Sequence, residues 1–244
     1  QMCIRDRKIV EKLKNENRRE AELHTTVYKP WGYYTVLEEG KRYFVNIIGK
    51  FASNAARALS LLDGVDISVI APAHGPVWRT DPSLILKLYK DLSNRVSIEK
   101  VTLIYGSMYG FSEKLAMYIA NRIISAGVDI ETFNATNTHP SFTLTSIWES
   151  KVVVFGGPTY DNGIFPPLRT HVDYVESKVI RGKKYAIFGS YGWSGKGNNY
   201  IVDRLEKLGW KLIEPIVYFK GTPTKETIEM AEELVENILS EVKG

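Results

Sequence analysis

The chain has 244 residues, 44% of them hydrophobic, with 32 Lys and Arg against 28 Asp and Glu and a formal net charge of +4; this suffices for a full α/β domain with something appended. Its basic residues are not clustered with stacking aromatics along one face, which argues against a nucleic-acid footprint. Apolar runs such as residues 152–155 fall far short of the roughly 20 residues that span a bilayer, no charged start leads into an apolar leader, and the single Cys3 allows neither an internal disulfide nor a thiol-rich metal site. The expected location is cytoplasmic, and any redox chemistry needs a borrowed cofactor.

In chain order, residues 8–22 read as a charged helix of mixed sign, followed by Tyr28-Lys29-Pro30-Trp31-Gly32-Tyr33-Tyr34, which looks like the start of a β domain. Residues 1–43 carry no complementary core and are expected to be poorly packed or extended. Residues 44–98 hold an amphipathic helix at 52–62, a short strand at 66–70, the turn Ala71-Pro72-Ala73-His74-Gly75-Pro76 and a helix at 82–92. One strand and two helices cannot readily bury their own apolar faces, so this stretch reads as the last piece of something larger.

From residue 99 a regular alternation sets in. Strands are predicted at 101–105, 129–133, 152–155, 185–188 and 212–219, and helices at 112–126, 167–176, 198–208 and 225–242, the last leaning acidic. Five strands alternating with helices predict a five-stranded parallel sheet covered on both faces. Right-handed crossovers then leave the ends of the first, third and fourth strands near one crevice.

The first strand runs into Tyr105-Gly106-Ser107-Met108-Tyr109-Gly110-Phe111-Ser112, where a helix begins. This is a phosphate loop without a lysine: the hydroxyls of Ser107 and Ser112, the loop amides and the positive helix end bind by hydrogen bonds and dipole, and Gly110 lets the backbone come close. A plain N-cap at Ser112 is the simpler alternative. The loop lacks the Gly-Lys-Ser/Thr ending of nucleoside triphosphatases. The dinucleotide fingerprint is absent, since Gly192, Gly195 and Gly197 follow the fourth strand in the wrong spacing. Ser107 and Gly157 stand where a response regulator needs acids. After the third strand comes Gly156-Gly157-Pro158-Thr159-Tyr160-Asp161-Asn162-Gly163, and after the fourth Ser190-Tyr191-Gly192-Trp193-Ser194-Gly195. Their glycines let peptide groups approach a flat ring, and Tyr160, Tyr191 and Trp193 can stack on it or shield it from water. Tight turns with aromatics capping the core are the alternative.

On these three loops, residues 99–244 resemble a flavodoxin-like domain, a three-layer α/β sandwich, and specifically the C-terminal domain of flavodiiron proteins. The resemblance implies non-covalent FMN held by Ser107, Met108, Tyr109, Gly110, Phe111 and Ser112 at the phosphate, with the isoalloxazine between Pro158, Thr159, Tyr160, Asp161, Asn162 and Gly163 on one side and Ser190, Tyr191, Gly192, Trp193, Ser194 and Gly195 on the other. Phe111 departs from the small or hydroxyl residue often found there, which bears on one phosphate contact. Residues 44–98 resemble the tail of the metallo-β-lactamase-like domain that precedes flavodoxin in that family, through Ala71-Pro72-Ala73-His74-Gly75-Pro76-Val77-Trp78. His74 matches that domain's final iron ligand. The resemblance implies a parent that reduces dioxygen or nitric oxide at a diiron centre, in a head-to-tail homodimer served by a redox partner such as rubredoxin or a flavin reductase.

The remaining diiron ligands are missing from this sequence, since His24, His139 and His171 stand in unrelated contexts. Taken alone, His74 reads as a turn histidine bonded to nearby backbone, and His171 as sitting on a solvated helix face. The chain alone is therefore expected only to carry electrons; an FMN-dependent quinone reductase and a non-redox binding module of the same fold are the alternatives. Residues 8–42 resemble instead the bifunctional mannose-1-phosphate guanylyltransferase and mannose-6-phosphate isomerase proteins, through Glu20 to Thr26 and Tyr28-Lys29-Pro30-Trp31-Gly32-Tyr33. The opening Gln1-Met2-Cys3-Ile4-Arg5-Asp6-Arg7 is similar to translated adapter sequence, and a reading frame joined from pieces or truncated is the expectation, with a genuine fusion as the alternative.

Overall fold

A computed structural model describes residues 30–79 and 81–244, which divide between Asn94 and Arg95 into two compact units. The helix expected at 8–22, together with Cys3, His24, Tyr28 and Lys29, lies outside the described residues.

In the first unit, α1 (Pro30–Tyr43) replaces the β start expected around Tyr33. Pro30 is pre-organised for the first helical position, and the following turns carry Glu38–Lys41 and Glu39–Arg42 pairs at helical spacing, 3.0 Å and 2.9 Å apart. Residues 35–43 are thus regular helix and not extended. The chain continues through a π turn at Phe44–Ile48 and a 3₁₀ turn at Gly49–Phe51 into α2 (Ala52–Ser60), and α3 spans Pro82–Ser93 behind an Asp81 N-cap that accepts from the Ser83 amide at 3.1 Å. Phe44 is fully buried, edge-on to Tyr89 at 5.2 Å. The strand expected at 66–70 shrinks to one antiparallel bridge, Ile70 with Trp78. Ile47, Phe51, Leu61 and Val65 remain exposed, because so few elements cannot cover every apolar face.

The second unit is the expected doubly wound sheet. Its strands are β1 (Ile98–Tyr105), β2 (Asp129–Asn134), β3 (Ser150–Gly156) and β6 (Lys184–Tyr191), with a short hairpin, β4 (Thr159–Tyr160) and β5 (Gly163–Ile164), after β3. The predicted fifth strand is split into β7 (Lys211–Leu212) and β8 (Val217–Lys220), both parallel to β6. Between the pairs Tyr185–Leu212 and Phe188–Val217 the edge chain advances five residues against three on β6, so the ladder breaks there. The sheet order is β2-β1-β3-β6-β7, with β8 continuing the β7 edge, and every pairing in it is parallel.

Helices α4 (Phe111–Ser125) and α8 (Lys225–Lys243) pack together on one face, burying Leu115, Ile119, Leu234 and Ile238 against Leu103 and Val154. On the other face lie α5 (Pro140–Glu149), α6 (Pro166–Ser177) and α7 (Asn199–Lys207). Helix α5 was not among the sequence expectations. Its hydroxyl-rich sequence lacks a clear apolar stripe, but Ser146 and Ser150 form a buried cluster with Thr102 of β1, both at 2.6 Å, so those polar groups are satisfied by the sheet.

Helix α6 ends in a Schellman motif: the Ile180 amide donates to Val175 O at 3.3 Å and the Val179 amide to Glu176 O at 3.0 Å. Val179 therefore occupies the left-handed position, at φ +54°. A β-branched residue pays about 1–2 kcal/mol there, against roughly 0.5–1 kcal/mol of backbone entropy for glycine. Val179→Gly is expected to stabilise the unit by about 0.5–1 kcal/mol, measured as a raised urea midpoint at constant slope.

Candidate functional site

Strand order reverses between β1 and β3: the chain leaves β1 for β2 on one side and returns to β3 on the other, which opens a crevice at their carboxyl ends. The loops after β1, β3 and β6 all leave from this edge.

The β1 loop feeds α4 through Gly110, which holds φ +82° as the N-cap and has open space where a Cβ would stand. No side chain caps this helix end. Ser112 lies inside the helix and so is not the N-cap that the simpler sequence reading allowed. The first-turn amides, which a helix leaves without internal acceptors, remain available to a ligand, with the positive end of the dipole behind them. The Ser107 hydroxyl oxygen is buried and has no hydrogen-bond partner among the described residues. Ser112, 1% exposed, bonds through its hydroxyl to that of Ser190 at 2.9 Å, tying the first loop to the third. Met108 and Tyr109 are exposed, and Phe111 is half-buried with the Lys114 ammonium 5.9 Å from its ring. One carboxylate, Glu113, lies in the first turn and accepts from the Tyr105 hydroxyl at 3.0 Å. Burial, then Glu113, raises the Tyr105 pKa.

The β3 loop forms the β4–β5 hairpin, whose turn residues Asp161 and Asn162 both take positive φ, +46° and +59°. That is the twist a two-residue hairpin turn needs, and short polar side chains tolerate it. The hairpin rests on the chain beyond β6: the Gly197 amide donates to Thr159 Oγ1 at 3.3 Å, and a Cβ on Gly197 would stand 2.5 Å from Gly163 O. Gly197, which in sequence reads only as a misplaced fingerprint glycine, is thus what seats the second loop. Asn198, 3% exposed, fills the space beside Gly189; nothing in the sequence marks it. Gly156 and Gly157 face the Phe188 ring and Leu168. Their small size serves packing against these two side chains. Gly192 does have open space beside it. Tyr160 and Trp193 are 41% and 81% exposed, Tyr191 is half-buried with Gly195 beneath its ring, and Pro158 and Ser194 are half-buried.

The described histidines, His74, His139 and His171, do not meet at one point. His74 is exposed on its turn with the Tyr43 ring 5.6 Å away, and no backbone hydrogen bond holds it among the described residues, contrary to the turn reading. Among the described residues no three His, Cys, Asp or Glu side chains converge, so these residues do not fit a diiron site. His139 caps α5, its Nδ1 accepting from the Ser141 amide at 3.2 Å. His171 is not solvated: it is 1% exposed, with Nδ1 2.9 Å from Thr143 Oγ1 and Nε2 3.3 Å from Ala135 O. Thr143 Oγ1 also lies 3.0 Å from Pro140 O. A neutral imidazole and one hydroxyl offer two protons for these three contacts, so two hydrogen bonds form at once.

Burial lowers the His171 pKa below its ordinary 6.5, against a weaker opposing effect of the Ala135 carbonyl. As pH falls through 6.5 the unfolded chain takes up this proton before the folded one, so stability present above that pH is lost below it. We expect the stability difference between the native chain and His171→Gln to shrink from pH 7.5 to pH 5.5 in urea titrations; a difference independent of pH would contradict the buried neutral imidazole.

Residues 103–234 match the flavodoxin family, and residues 16–60 match the mannose-6-phosphate isomerase C-terminal family. Among curated proteins, a nitric oxide reductase of Moorella thermoacetica is 25% identical over 210 residues, 85% of this chain and 53% of the relative. The flavodiiron protein of Giardia intestinalis superposes with a TM-score of 0.76 at 27% identity, over 83% of this chain and 52% of that one. The rubredoxin oxygen:oxidoreductase of Desulfovibrio gigas shares the fold, with a TM-score of 0.83 at 24% identity over 91% and 55% of the two chains. The chain spans about half the length of the curated relatives it matches.

Proposed function

Because the chain belongs to the flavodoxin family, we propose that its second unit binds FMN non-covalently at the β1/β3 switch point and exchanges electrons through it. The observation that carries this reading is Ser107: a buried hydroxyl without a partner, in the loop before an uncapped helix N-terminus. An orphaned buried hydroxyl costs about 1–3 kcal/mol, which a phosphate oxygen in that loop relieves. The amides after Gly110 and the Ser112 hydroxyl complete a cradle with no formal positive charge among its residues, suited to a phosphate already stabilised by the helix end. The β4–β5 turn and the loop from Ser190 to Gly195 flank the ring, with Tyr191 and Trp193 offering aromatic faces and Gly192 leaving room for a planar group. Bound FMN supplies the electron-carrying chemistry that none of these side chains has. The exposed Met108, Tyr109 and Trp193 make the same edge accessible to a donor or acceptor.

The domain boundaries follow the same reading: residues 99–244 carry the flavin, residues 44–98 are the remnant of a diiron domain to which His74 contributes one ligand position, and residues 1–43 are unrelated to either. In a full-length relative the electrons would pass to a diiron centre that reduces nitric oxide or dioxygen. A rubredoxin or flavin reductase donor, a head-to-tail dimer and a cytoplasmic location belong to that parent. No helix among the described residues is long and apolar enough to cross a membrane.

The test compares FMN with riboflavin, which lacks the phosphate. The purified chain should take up FMN, with a bound-flavin visible spectrum, and bind it more tightly than riboflavin. Ser107→Ala removes a hydrogen bond to a charged group, worth roughly 1.5–3 kcal/mol, so FMN affinity should fall tenfold or more while riboflavin affinity holds. Absence of any bound-flavin spectrum would favour a non-redox module of the same fold, and an equal loss for both ligands would move the phosphate elsewhere.

A further inference from the structure

At the opposite, amino edge of the sheet, the segments entering β1, β3 and β6 surround a cavity of about 200 Å³ lined by Arg95, Ser97, Trp148, Arg181, Gly182 and Lys183. Three of these are basic, two of them the permanently charged arginines, and none is acidic. Lys183 is 8% exposed, and its ammonium donates to Ser97 Oγ at 2.8 Å and to the carbonyls of Trp148 and Ser150 at 2.7 Å. All three of its donors are used, and its ordinary pKa of 10.5 is lowered to about 7 by burial first and by Arg95 second. Arg95 sits at φ +55° with its guanidinium 5.1 Å from the Trp148 ring centre, and burial first and the nearby Arg181 second lower its pKa. Among the described residues neither arginine makes an ion pair, and the nearby Glu149 is paired with Lys100 at 3.7 Å.

Cations crowded around a cavity at mutual cost, with their donor forks unused, are an arrangement that an anion would stabilise. We propose that Arg95 and Arg181, backed by the buried charge of Lys183, form a binding site for a tetrahedral oxyanion, phosphate or a terminal phosphate group. The two guanidinium forks reach the anion directly. Lys183 stays on its three oxygens and contributes through its field, while the Ser97 hydroxyl, already accepting from Lys183, is free to donate. The volume decides against a whole nucleotide, since pockets that bury drug-sized ligands start at about 300 Å³, but it holds several waters of about 30 Å³ each and so a hydrated phosphate. This site is independent of the flavin reading, and it lies at the far end of the strands from the Ser107 loop.

The experiment is an amide-resolved NMR titration of the isotope-labelled full chain with inorganic phosphate, against sodium chloride at matched ionic strength. Ser97, Gly182 and Lys183 should shift saturably, with half-saturation on the order of 1 mM, whereas chloride should not move them. Residues 107–112 report any phosphate taken by the other edge separately. Arg95→Gln with Arg181→Gln should weaken the response at the cavity about tenfold or more and leave the response at 107–112 unchanged. Should that pair fail to fold, Arg181→Gln alone, at an exposed position, should still weaken it about threefold. A parallel arm with AMP separates the sources: equal shifts mean a phosphate carried on a larger molecule, and no shifts mean the free ion, either upholding the oxyanion site. Non-saturable shifts at the cavity, or unchanged saturation in the variants, would overturn it.

Discussion

The parallel ladder between β1 and β3 is the constraint on which both ends of the second unit depend. Its register runs from Val101–Val152 to Tyr105–Gly156 and is extended by the Gly106 amide donating to Gly156 O at 2.8 Å. With a side-chain period of two, a slip of one residue would turn Leu103 and Val154 out of the core shared with α4 and α8. The ladder therefore fixes where two loops leave the sheet. Because the chain diverges to β2 on one side and to β6 on the other, those loops cannot close over each other. The crevice is a consequence of connectivity before any ligand enters.

Within that crevice the candidate cradle is built from hydroxyls, amides and a helix end. A cradle of this kind acts on an anion through fixed dipoles and adds no full positive charge to the crevice. The hydroxyl pair Ser112–Ser190 and the seat of the hairpin on Gly197 give the three loops common supports. A change in one loop is thereby felt in the others. The basic cavity at the other edge follows a different rule, with two guanidinium groups gathered beside the buried Lys183.

The first unit shows what happens when few elements share one core. Phe44 and Trp78 find cover, yet Phe51 and Leu61 stay 60% and 81% exposed. His74 stands on a turn whose described surroundings hold a tyrosine ring and no second ligand. A metal site is a property of several segments brought to one point, and a single matching turn does not make one.

The sequence by itself determined the second unit's class and where its loops leave the sheet. Apolar runs such as residues 101–105 and 152–155 and the intervening helical periodicity have strong local signatures, so strands and helices fall within a few residues of their expected places. The place of the lysine-free loop, between β1 and α4, was legible for the same reason. What only the tertiary structure decided are the facts that depend on distant partners. Helix α5 is tied to the sheet through Ser146 and Thr102, the fifth strand breaks where its edge outruns β6, and His171 is buried where Thr143 and Ala135 come to meet it. The stretch from Tyr28 to Tyr34 reads as the start of a β domain, yet from Pro30 the chain is helical, as Pro30 and the ion pairs downstream favour. Local pattern sets each segment's preference, and long-range contact sets which preference prevails.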